Sequence, residues 1–302
     1  MKRTAVINVV GLTRSILDMS KHMRNFAQKG AVASIKPAFP AVTCTAQSTY
    51  LTGLTASQHG IVGNGWYDRA LSEVQFWKQS NKLVSGRKVW EELKEQDPKF
   101  TCAKLFWWYN MYSSADYSIT PRPMYPADGR KVFDVYTFPA SIRTDLKKEL
   151  GEFPFPHFWG PIAGIKSSRW IADSAKWIES HYHPTLNLIY LPHLDYNLQK
   201  LGPNHPDIKA DVKLVDDVVG DLITFFEVQS VEVMLLSEYG ITEVNNPIHL
   251  NRLFRDRVGL PSAKNLASNC WIAARAGSSR LRIIRSLMFM STTGRSSMKC
   301  VH

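Results

Sequence analysis

LNLIYL, residues 186–191, is followed by an amphipathic pattern over residues 211–228 and then by VEVMLL, residues 231–236. Two short, mostly apolar runs on either side of a helical pattern are typical of buried strands joined by a crossover helix. TAVINVV, residues 4–10, and residues 101–106 have the same strand-like character. Strands that alternate with helices predict an α/β fold, in which a mostly parallel central sheet carries helices on both faces.

Weaker patterns complete the predicted α/β catalytic domain, which we place at residues 1–257. Residues 107–165 are aromatic and rich in Pro and Gly, and we interpret them as a loop-rich cap or insertion over a site. The other predicted elements are helices over residues 20–28, 87–96 and 169–180 and a strand over residues 31–35. Ligands of parallel sheets bind beyond the carboxyl ends of the strands, so the residues after each strand are the candidates for a site.

The chemistry is predicted in residues 39–68, which read FPAVTCTAQSTYLTGLTASQHGIVGNGWYD. A helix is expected over residues 45–52, with Gly53 as its stop, so Thr43 lies at a helix N-terminus. Free N–H groups and the positive end of the helix dipole favour a phosphate-like anion there. The Thr43 hydroxyl could act as a nucleophile if a metal or a base lowers its pKa. The alternative is an ordinary N-cap threonine.

Three elements of this segment resemble the nucleophile region of the type I phosphodiesterase/nucleotide pyrophosphatase family, within the alkaline phosphatase superfamily. Thr43 matches the nucleophile, residues 52–54 (TGL) match a T-G-L element, and residues 59–64 (HGIVGN) match H-G-I-x-x-N. The step of 21 residues from Thr43 to Asn64 also agrees. The resemblance extends thinly over residues 4–250 and implies an alkaline phosphatase-like fold.

The resemblance also implies a mechanism and a substrate class. Asn64 and the backbone N–H of Cys44 would hold a non-bridging phosphate oxygen, as an oxyanion hole does. Residues 45–47 depart from the family pattern, with Ala46 where the family has Asn. The implied partner is a small phosphorylated substrate, with nucleotides among the options.

Relatives hold two zinc ions, so the resemblance implies two divalent metal ions, one of them on the threonine oxygen. Where relatives have D-G after the first strand, this chain has residues 10–11 (VG), and Asn8 on the same strand face is a weak substitute. Asp195 matches the Asp of a D-x-x-x-H element. Gln199 stands at the His position of that element, and His193 is a candidate to compensate.

The third metal-binding element of relatives, S-D-H-G, is matched by residues 237–240 (SEYG). Glu238 can still bind a cation, whereas Tyr239 is a poor zinc ligand. His249 is either a ligand or substrate contact or a histidine at a helix start. Because oxygen ligands outnumber nitrogen ligands, Mn or Mg is an alternative to Zn. The predicted metal ligands are Thr43, Asp195, Glu238 and His249, although the two carboxylates could instead serve as capping or hydrogen-bonding groups.

The net charge of +11 invites a nucleic-acid partner, but its distribution argues against one. Seven of the 37 basic residues lie in residues 258–302, which hold no acidic residue, so residues 1–257 carry 30 basic and 26 acidic side chains. That body lacks the basic stripe that neutralises phosphates. The sequence also shows no apolar stretch of about 18 residues, no secretory signal and no paired cysteine spacing, so we expect a cytoplasmic protein without a membrane partner.

The segment after residue 257 differs from the rest of the chain in composition and in hydrophobic pattern. Ser and Arg accumulate, and alternation of the kind found in strands is absent. We interpret residues 258–302 as the product of a shifted reading frame, which would remove the late histidine ligand of relatives. The alternative is a genuine basic tail.

The sequence as a whole predicts a metal-dependent hydrolase of phosphodiester or pyrophosphate bonds, in which Thr43 forms a covalent phospho-threonine that water then hydrolyses. Two alternatives remain open. One is a phosphomonoester or phosphonate hydrolase on the same scaffold. The other is a catalytically inactive protein that binds a phosphate ligand, which residues 10–11, Gln199 and Tyr239 favour.

Overall fold

Strands and helices alternate along the chain. The computed structural model describes residues 1–246, 248–249 and 253, and the backbone of residues 262–265 and 268–271. The strands are β1 (Thr4–Val9), β2 (Gly65–Asp68), β3 (Glu73–Phe76), β4 (Cys102–Leu105), β5 (Tyr117–Pro121), β6 (Val135–Phe138), β7 (Leu186–Leu191), β8 (Glu232–Leu236), β9 (Ser262–Asn265) and β10 (Ser268–Trp271). The helices are α1 (Arg14–Met19), α2 (His22–Gln28), α3 (Thr43–Thr52), α4 (Ala56–His59), α5 (Val89–Gln96), α6 (Ser141–Leu150), α7 (Ile165–Tyr182), α8 (His193–Leu201) and α9 (Ile208–Val228).

Among the described residues, one six-stranded sheet in the order β6-β5-β4-β7-β1-β8 forms the centre of the fold. Five of its strands are parallel, and β6 runs antiparallel to β5 at one edge. All six residues of β7 are buried. Because successive strand residues point to opposite faces, both faces of the sheet are covered at its centre. The predicted mostly parallel α/β fold is therefore confirmed.

Helix α9 is the longest helix of the described chain and packs against α7, α8 and α2. Val215, Val219, Leu222 and Phe226 form its fully buried apolar stripe. Their spacing of three and four residues places them on one face, so the amphipathic pattern of the sequence is the packing surface of the helix. Within this layer α7 packs on β7 and β4, and α9 packs on β8.

The carboxylate of Asp216, on α9, anchors the start of α2. It accepts hydrogen bonds from the backbone N–H groups of Lys21 at 2.7 Å, His22 at 2.8 Å and Met23 at 2.8 Å. Asp216 is buried, and these N–H groups have no partner within their own helix. Asp216, although distant in sequence, therefore caps the N-terminus of α2 in the way that a local N-cap side chain usually does.

Replacing this carboxylate is expected to destabilise the protein. Asp216→Ala should lower the free energy of unfolding by about 2 kcal/mol, because buried N–H groups lose a charged acceptor. Asp216→Asn should recover part of the loss, since its amide oxygen still accepts. Denaturant unfolding measures the change, and the exposed neighbour provides the control Asp217→Ala. Equal effects of the two alanine substitutions would contradict the anchoring role.

Two segments differ from the prediction. Residues 31–35 were predicted as a strand, but they are irregular, and Val32 and Ile35 are each 52% exposed. No neighbouring strand is placed to pair with them in the described structure, so their β-forming composition has nothing to stabilise it. Residues 107–165 are aromatic and loop-rich as predicted, but they also contribute β5, β6 and α6 to the central body.

The predicted anomalous tail lies mostly outside the described residues. Within it, the backbone of β9 pairs antiparallel with that of β10, although the sequence showed no alternation there. The domain boundary at residue 257 and the shifted reading frame stay predictions. No helix of the described chain is long and apolar enough to cross a membrane.

Candidate active site

The carboxyl ends of three neighbouring strands bring distant parts of the chain together. Asn8 of β1 lies in register with Tyr190 of β7 and Leu236 of β8. Gly11 lies in the turn after the first strand with φ of 81°, a left-handed conformation that favours glycine. A Cβ there would lie 2.8 Å from a terminal methyl group of Leu198, which could shift. The loops after β7 and β8 start beside this point, as the position of a site in a parallel sheet requires.

Thr43 is the first helical residue of α3, and the preceding Val42 is its N-cap. Gly53 ends the helix in the left-handed conformation with φ of 68°, as its sequence position predicts. The alternative of an ordinary N-cap threonine therefore does not describe Thr43. Its side chain is buried, and its Oγ1 lies 3.5 Å from the hydroxyl of Tyr239. The hydroxyl thus faces the loop after β8.

Asn64 lies beside this helix start. Its Oδ1 accepts a hydrogen bond of 3.0 Å from the backbone N–H of Cys44, the residue after Thr43. The Cys44 N–H, predicted to hold a phosphate oxygen, is therefore already engaged. Because Oδ1 is occupied, the Nδ2 group of Asn64 is the donor left for an anion.

The H-G-I element has a structural role that the sequence reading did not assign. The His59 side chain is buried, its Nε2 lies 3.1 Å from the Thr49 hydroxyl, and its Nδ1 accepts a hydrogen bond of 3.1 Å from the Ile61 N–H. Burial lowers the pKa of His59. A neutral imidazole therefore ties α3 to the turn that leads to Asn64.

Glu238 is buried and is held through one carboxylate oxygen. Its Oε1 accepts hydrogen bonds from Asn8 Nδ2 at 2.7 Å and from Gln47 Nε2 at 2.6 Å. The amide of Gln47 is fixed in this orientation, because its oxygen accepts the backbone N–H of Trp108 at 2.7 Å. Burial raises the pKa of Glu238 to about 8, although these hydrogen bonds oppose the shift. Glu238 is therefore mostly protonated at neutral pH.

Asp195 follows β7 and is held through both of its oxygens. Tyr239 donates its hydroxyl to Oδ1 at 3.0 Å, and Gln199 donates Nε2 to Oδ2 at 2.8 Å. Burial raises the pKa of Asp195 to about 6, while the two hydrogen bonds act in the opposite direction. At neutral pH this carboxyl is mostly ionised while Glu238 is protonated, a pairing of states that suits acid–base chemistry.

The structure thus gathers most of the predicted site residues but leaves two histidines elsewhere. The Nε2 of His193 lies 3.4 Å from Oδ1 of Asp211 on α9, and burial lowers the pKa of this histidine. His193 therefore does not replace the missing histidine at position 199. His249 is exposed, and in the described structure it joins no group of three or more potential metal ligands.

Sequence reasoning missed two residues of the site. Gln47, which orients Glu238, lies four residues after Thr43 and thus on the same face of α3, a spacing that could have identified it. Tyr190 is buried beside the two carboxyls, and its pKa is raised well above the ordinary value, mainly by burial and then by the charges of Glu238 and Asp195. Tyr190 is the next-to-last residue of the apolar strand β7, and nothing in the sequence pattern set it apart.

The model of the type I phosphodiesterase/nucleotide pyrophosphatase family matches residues 4–284. The chain belongs to this family. Over 230 residues it is 25% identical to an uncharacterized pyrophosphatase/phosphodiesterase of Schizosaccharomyces pombe, and the match covers 72% of this chain and 40% of that protein.

Solved structures share the fold of this phosphodiesterase-family chain. One is an inactive variant of murine ectonucleotide pyrophosphatase/phosphodiesterase 5, with alanine in place of a threonine, in complex with AMP (TM-score 0.56, 16% identity, 83% of this chain and 61% of that one). Another is phosphonoacetate hydrolase from Sinorhizobium meliloti in complex with phosphonoacetate (TM-score 0.60, 14% identity, 85% of this chain and 62% of that one). The chain spans less than two thirds of the length of each of these relatives.

Members of the family use divalent metal ions. The question for this site is whether its residues can supply the ligands of two such ions. No group of three or more His, Cys, Asp or Glu side chains in the described chain is arranged to hold a metal ion. Three of the four carboxylate oxygens of Asp195 and Glu238 already accept hydrogen bonds from side chains. The unpartnered buried oxygens of the site are Glu238 Oε2 and Asn8 Oδ1. Such a set lacks the nitrogen ligands that zinc prefers, and these residues do not fit two zinc ions.

Proposed function

We propose that this chain hydrolyses phosphodiester or pyrophosphate bonds of small phosphorylated molecules, with Thr43 as the nucleophile. The observation that carries the proposal is the position of the Thr43 hydroxyl, at the first turn of α3 and 3.5 Å from a tyrosine that is hydrogen-bonded to a carboxylate. Family membership supports the reaction class. The AMP complex of the murine neighbour, solved with a threonine replaced by alanine in an inactive variant, supports a nucleotide-like substrate and a threonine nucleophile.

The hydrogen bonds suggest how the hydroxyl is activated by this chain's own residues. As Thr43 Oγ1 attacks phosphorus, its proton passes to the Tyr239 oxygen while Tyr239 passes its own proton to Asp195. The bond between phosphorus and the leaving oxygen breaks, and the leaving oxygen takes a proton from solvent while Asp195 keeps the proton it has received. Water then attacks the phosphorus of the phospho-threonine and loses a proton to solvent. The bond between phosphorus and Thr43 Oγ1 breaks, and Oγ1 regains its proton from Tyr239, which is reprotonated by Asp195. The 3.5 Å gap is long for a hydrogen bond, as catalytic contacts without substrate commonly are.

Tyr239→Phe tests this relay, because it removes the hydroxyl and keeps the ring. We expect kcat for bis-p-nitrophenyl phosphate to fall about 100-fold, a loss in the range of general-base catalysis. KM should change little, since the tyrosine moves a proton and does not bind the phosphate. Tyr196→Phe is the matched control, because the Tyr196 hydroxyl donates to the Phe158 carbonyl outside the relay. Unchanged kcat in Tyr239→Phe would contradict the relay.

Asn64 is proposed to stabilise the negative charge that develops on the phosphoryl oxygens. Asn64→Ala removes the amide donor and the acceptor of the Cys44 N–H, and we expect kcat to fall about 100- to 1,000-fold. Asn64→Asp retains the acceptor but not the donor, so it should be as slow as the alanine variant. Steady-state kinetics decide the point, and wild-type rates in Asn64→Asp would contradict a donor role.

The substrate class is tested by assaying the purified chain with bis-p-nitrophenyl phosphate, p-nitrophenyl phosphate and phosphonoacetate. Turnover of the diester supports the proposal. Preference for phosphonoacetate would favour the second candidate, a phosphonate hydrolase, which the fold of the bacterial neighbour suggests. Binding of AMP without turnover of any substrate would favour the third candidate function, an inactive protein that binds a phosphate ligand. The residues that replace the family's metal ligands argue for this candidate.

A further inference from the structure

Hydrogen-bond donors surround the two carboxyls of the site where relatives have metal ions. Glu238 receives two amide donors, from Asn8 and Gln47, and Asp195 receives the Tyr239 hydroxyl and the Gln199 amide. Each donor presents a hydrogen, the positive end of its dipole, to a carboxyl oxygen. A metal ion at any of these three oxygens would have to displace the donors and would meet those hydrogens at close range. Glu238 Oε2 is the one carboxyl oxygen of the two residues without a side-chain donor in the described structure, and Asn8 Oδ1 is the other unpartnered buried oxygen of the site.

One of the amide donors, Gln47, is fixed in its orientation. Gln47 cannot present its oxygen to a cation, because that oxygen accepts the Trp108 N–H. Gln199 and Tyr239 stand where the resemblance expects histidines, and neither carries an imidazole nitrogen. The site therefore supplies hydrogens where a zinc site supplies lone pairs.

No histidine of the described chain is placed to supply the nitrogen ligands that Gln199 and Tyr239 lack. The chain has nine histidines, and His302 alone lies outside the described residues. The other eight are His22 near Asp217, His59 with Thr49, His157 with Ile162, His181 with Trp177, His183 near Glu179, His193 near Asp211, His205 near Asp207, and the exposed His249.

We infer that the side-chain donors of Asn8, Gln47, Gln199 and Tyr239, and not a pair of zinc ions, hold Asp195 and Glu238 in place. The inference concerns the site of the proposed function, and it rests on that proposal only for the identity of the site. The donors fix the carboxyls in the resting protein, and metal is not required for the architecture. Two of the departures from the family's ligand pattern, Gln199 and Tyr239, then act together as donors to Asp195.

Metal content tests the inference directly. The purified full chain is dialysed against excess Zn²⁺, Mn²⁺ or Mg²⁺, passed through a desalting column and analysed for metals. We expect far less than one equivalent of each metal and the same melting temperature in chelator and in metal. One or two equivalents of bound metal, lost on Asp195→Ala and Glu238→Ala, would overturn the inference.

A double-mutant cycle tests the role of the donors themselves. In chelator, Asn8→Ala and Glu238→Ala should lower the melting temperature by less in combination than the two single shifts predict together. Asn8→Ala and Glu179→Ala form the control pair, since Glu179 bonds to Asn187 and not to Asn8, and their shifts should add. Additive shifts for Asn8 and Glu238 would contradict the inference. If the variants fail to fold, the metal content of the wild-type chain still decides it.

The outcomes separate this inference from the proposed function. A metal-free chain that turns over the diester supports both. A metal-free chain without activity supports the inference and contradicts hydrolysis. A zinc-loaded, active chain contradicts the inference and leaves the proposed reaction in place.

Discussion

Thr43→Val should reduce kcat/KM for a phosphodiester substrate on the order of 1,000-fold or more, because it removes the attacking oxygen and retains the shape of the side chain. The buried position of Thr43 makes valine a close substitute, and the stability of the protein should change little. The measurement is steady-state hydrolysis of bis-p-nitrophenyl phosphate, with unfolding curves to confirm that the variant is folded. Mass spectrometry of rapidly quenched wild-type reactions should also detect phospho-threonine, which the variant cannot form.

Thr45→Val is the matched control for this experiment. Thr45 lies on the same helix, is fully buried, and its hydroxyl has no hydrogen-bond partner in the described structure. Replacing an unsatisfied buried hydroxyl with a methyl group should leave activity intact and stability unchanged or slightly higher. Retained diester hydrolysis in Thr43→Val, or an equal loss in both variants, would contradict a nucleophilic Thr43.

Glu179→Ala should lower the free energy of unfolding by about 3 kcal/mol, since it leaves the partly buried Arg3 and the buried Asn187 without their charged partner. Glu179 is fully buried on α7 and accepts hydrogen bonds from Arg3 and from Asn187, the latter at 2.9 Å. These contacts join α7 to β7 and to the residue before β1, so the loss weakens the centre of the sheet. Denaturant unfolding followed by circular dichroism measures it, and a loss of this size is a large part of a typical domain's stability.

The neighbouring surface ion pair offers the control for Glu179. Lys2 and Glu232 lie 2.7 Å apart, but their side chains are 82% and 58% exposed. Glu232→Ala should lower the free energy of unfolding far less than Glu179→Ala, because water and salt screen an exposed pair. Similar losses for the two glutamates would show that burial does not set the contribution of Glu179.

The prediction of the fold from the sequence succeeded where apolar runs were long enough to specify burial by themselves. β7 has the predicted bounds at residues 186–191, and α9 begins three residues before the predicted helix start. Residues 31–35 failed because strand formation needs a pairing partner, which local composition does not encode. The strands within residues 107–165 were missed because they are short and lie among aromatic residues and prolines.

Part of the candidate site was also accessible from the sequence. The motif in residues 39–68 identified Thr43 and Asn64, which the structure places on either side of the Cys44 N–H. The hydrogen bond between Glu238 and Gln47 could not be predicted from the sequence, because 191 residues separate them and the residues around each carry no signal of the contact.

For this protein the sequence alone determined the alternation of buried strands and amphipathic helices and the helix start that holds the Thr43 hydroxyl, since both follow from local spacing and conformational preference. Gln199 is a local partner of Asp195, four residues later on α8. Only the tertiary structure decided that Tyr239 binds Asp195 and that Asn8 and Gln47 bind Glu238. The pairing of β1 with β7 and β8 brings Asn8 and the loops that follow those strands to one edge of the sheet. Hydrogen bonding depends on distance in space, and a carboxylate's partner is set by whichever donor the packed elements bring within about 3 Å of it.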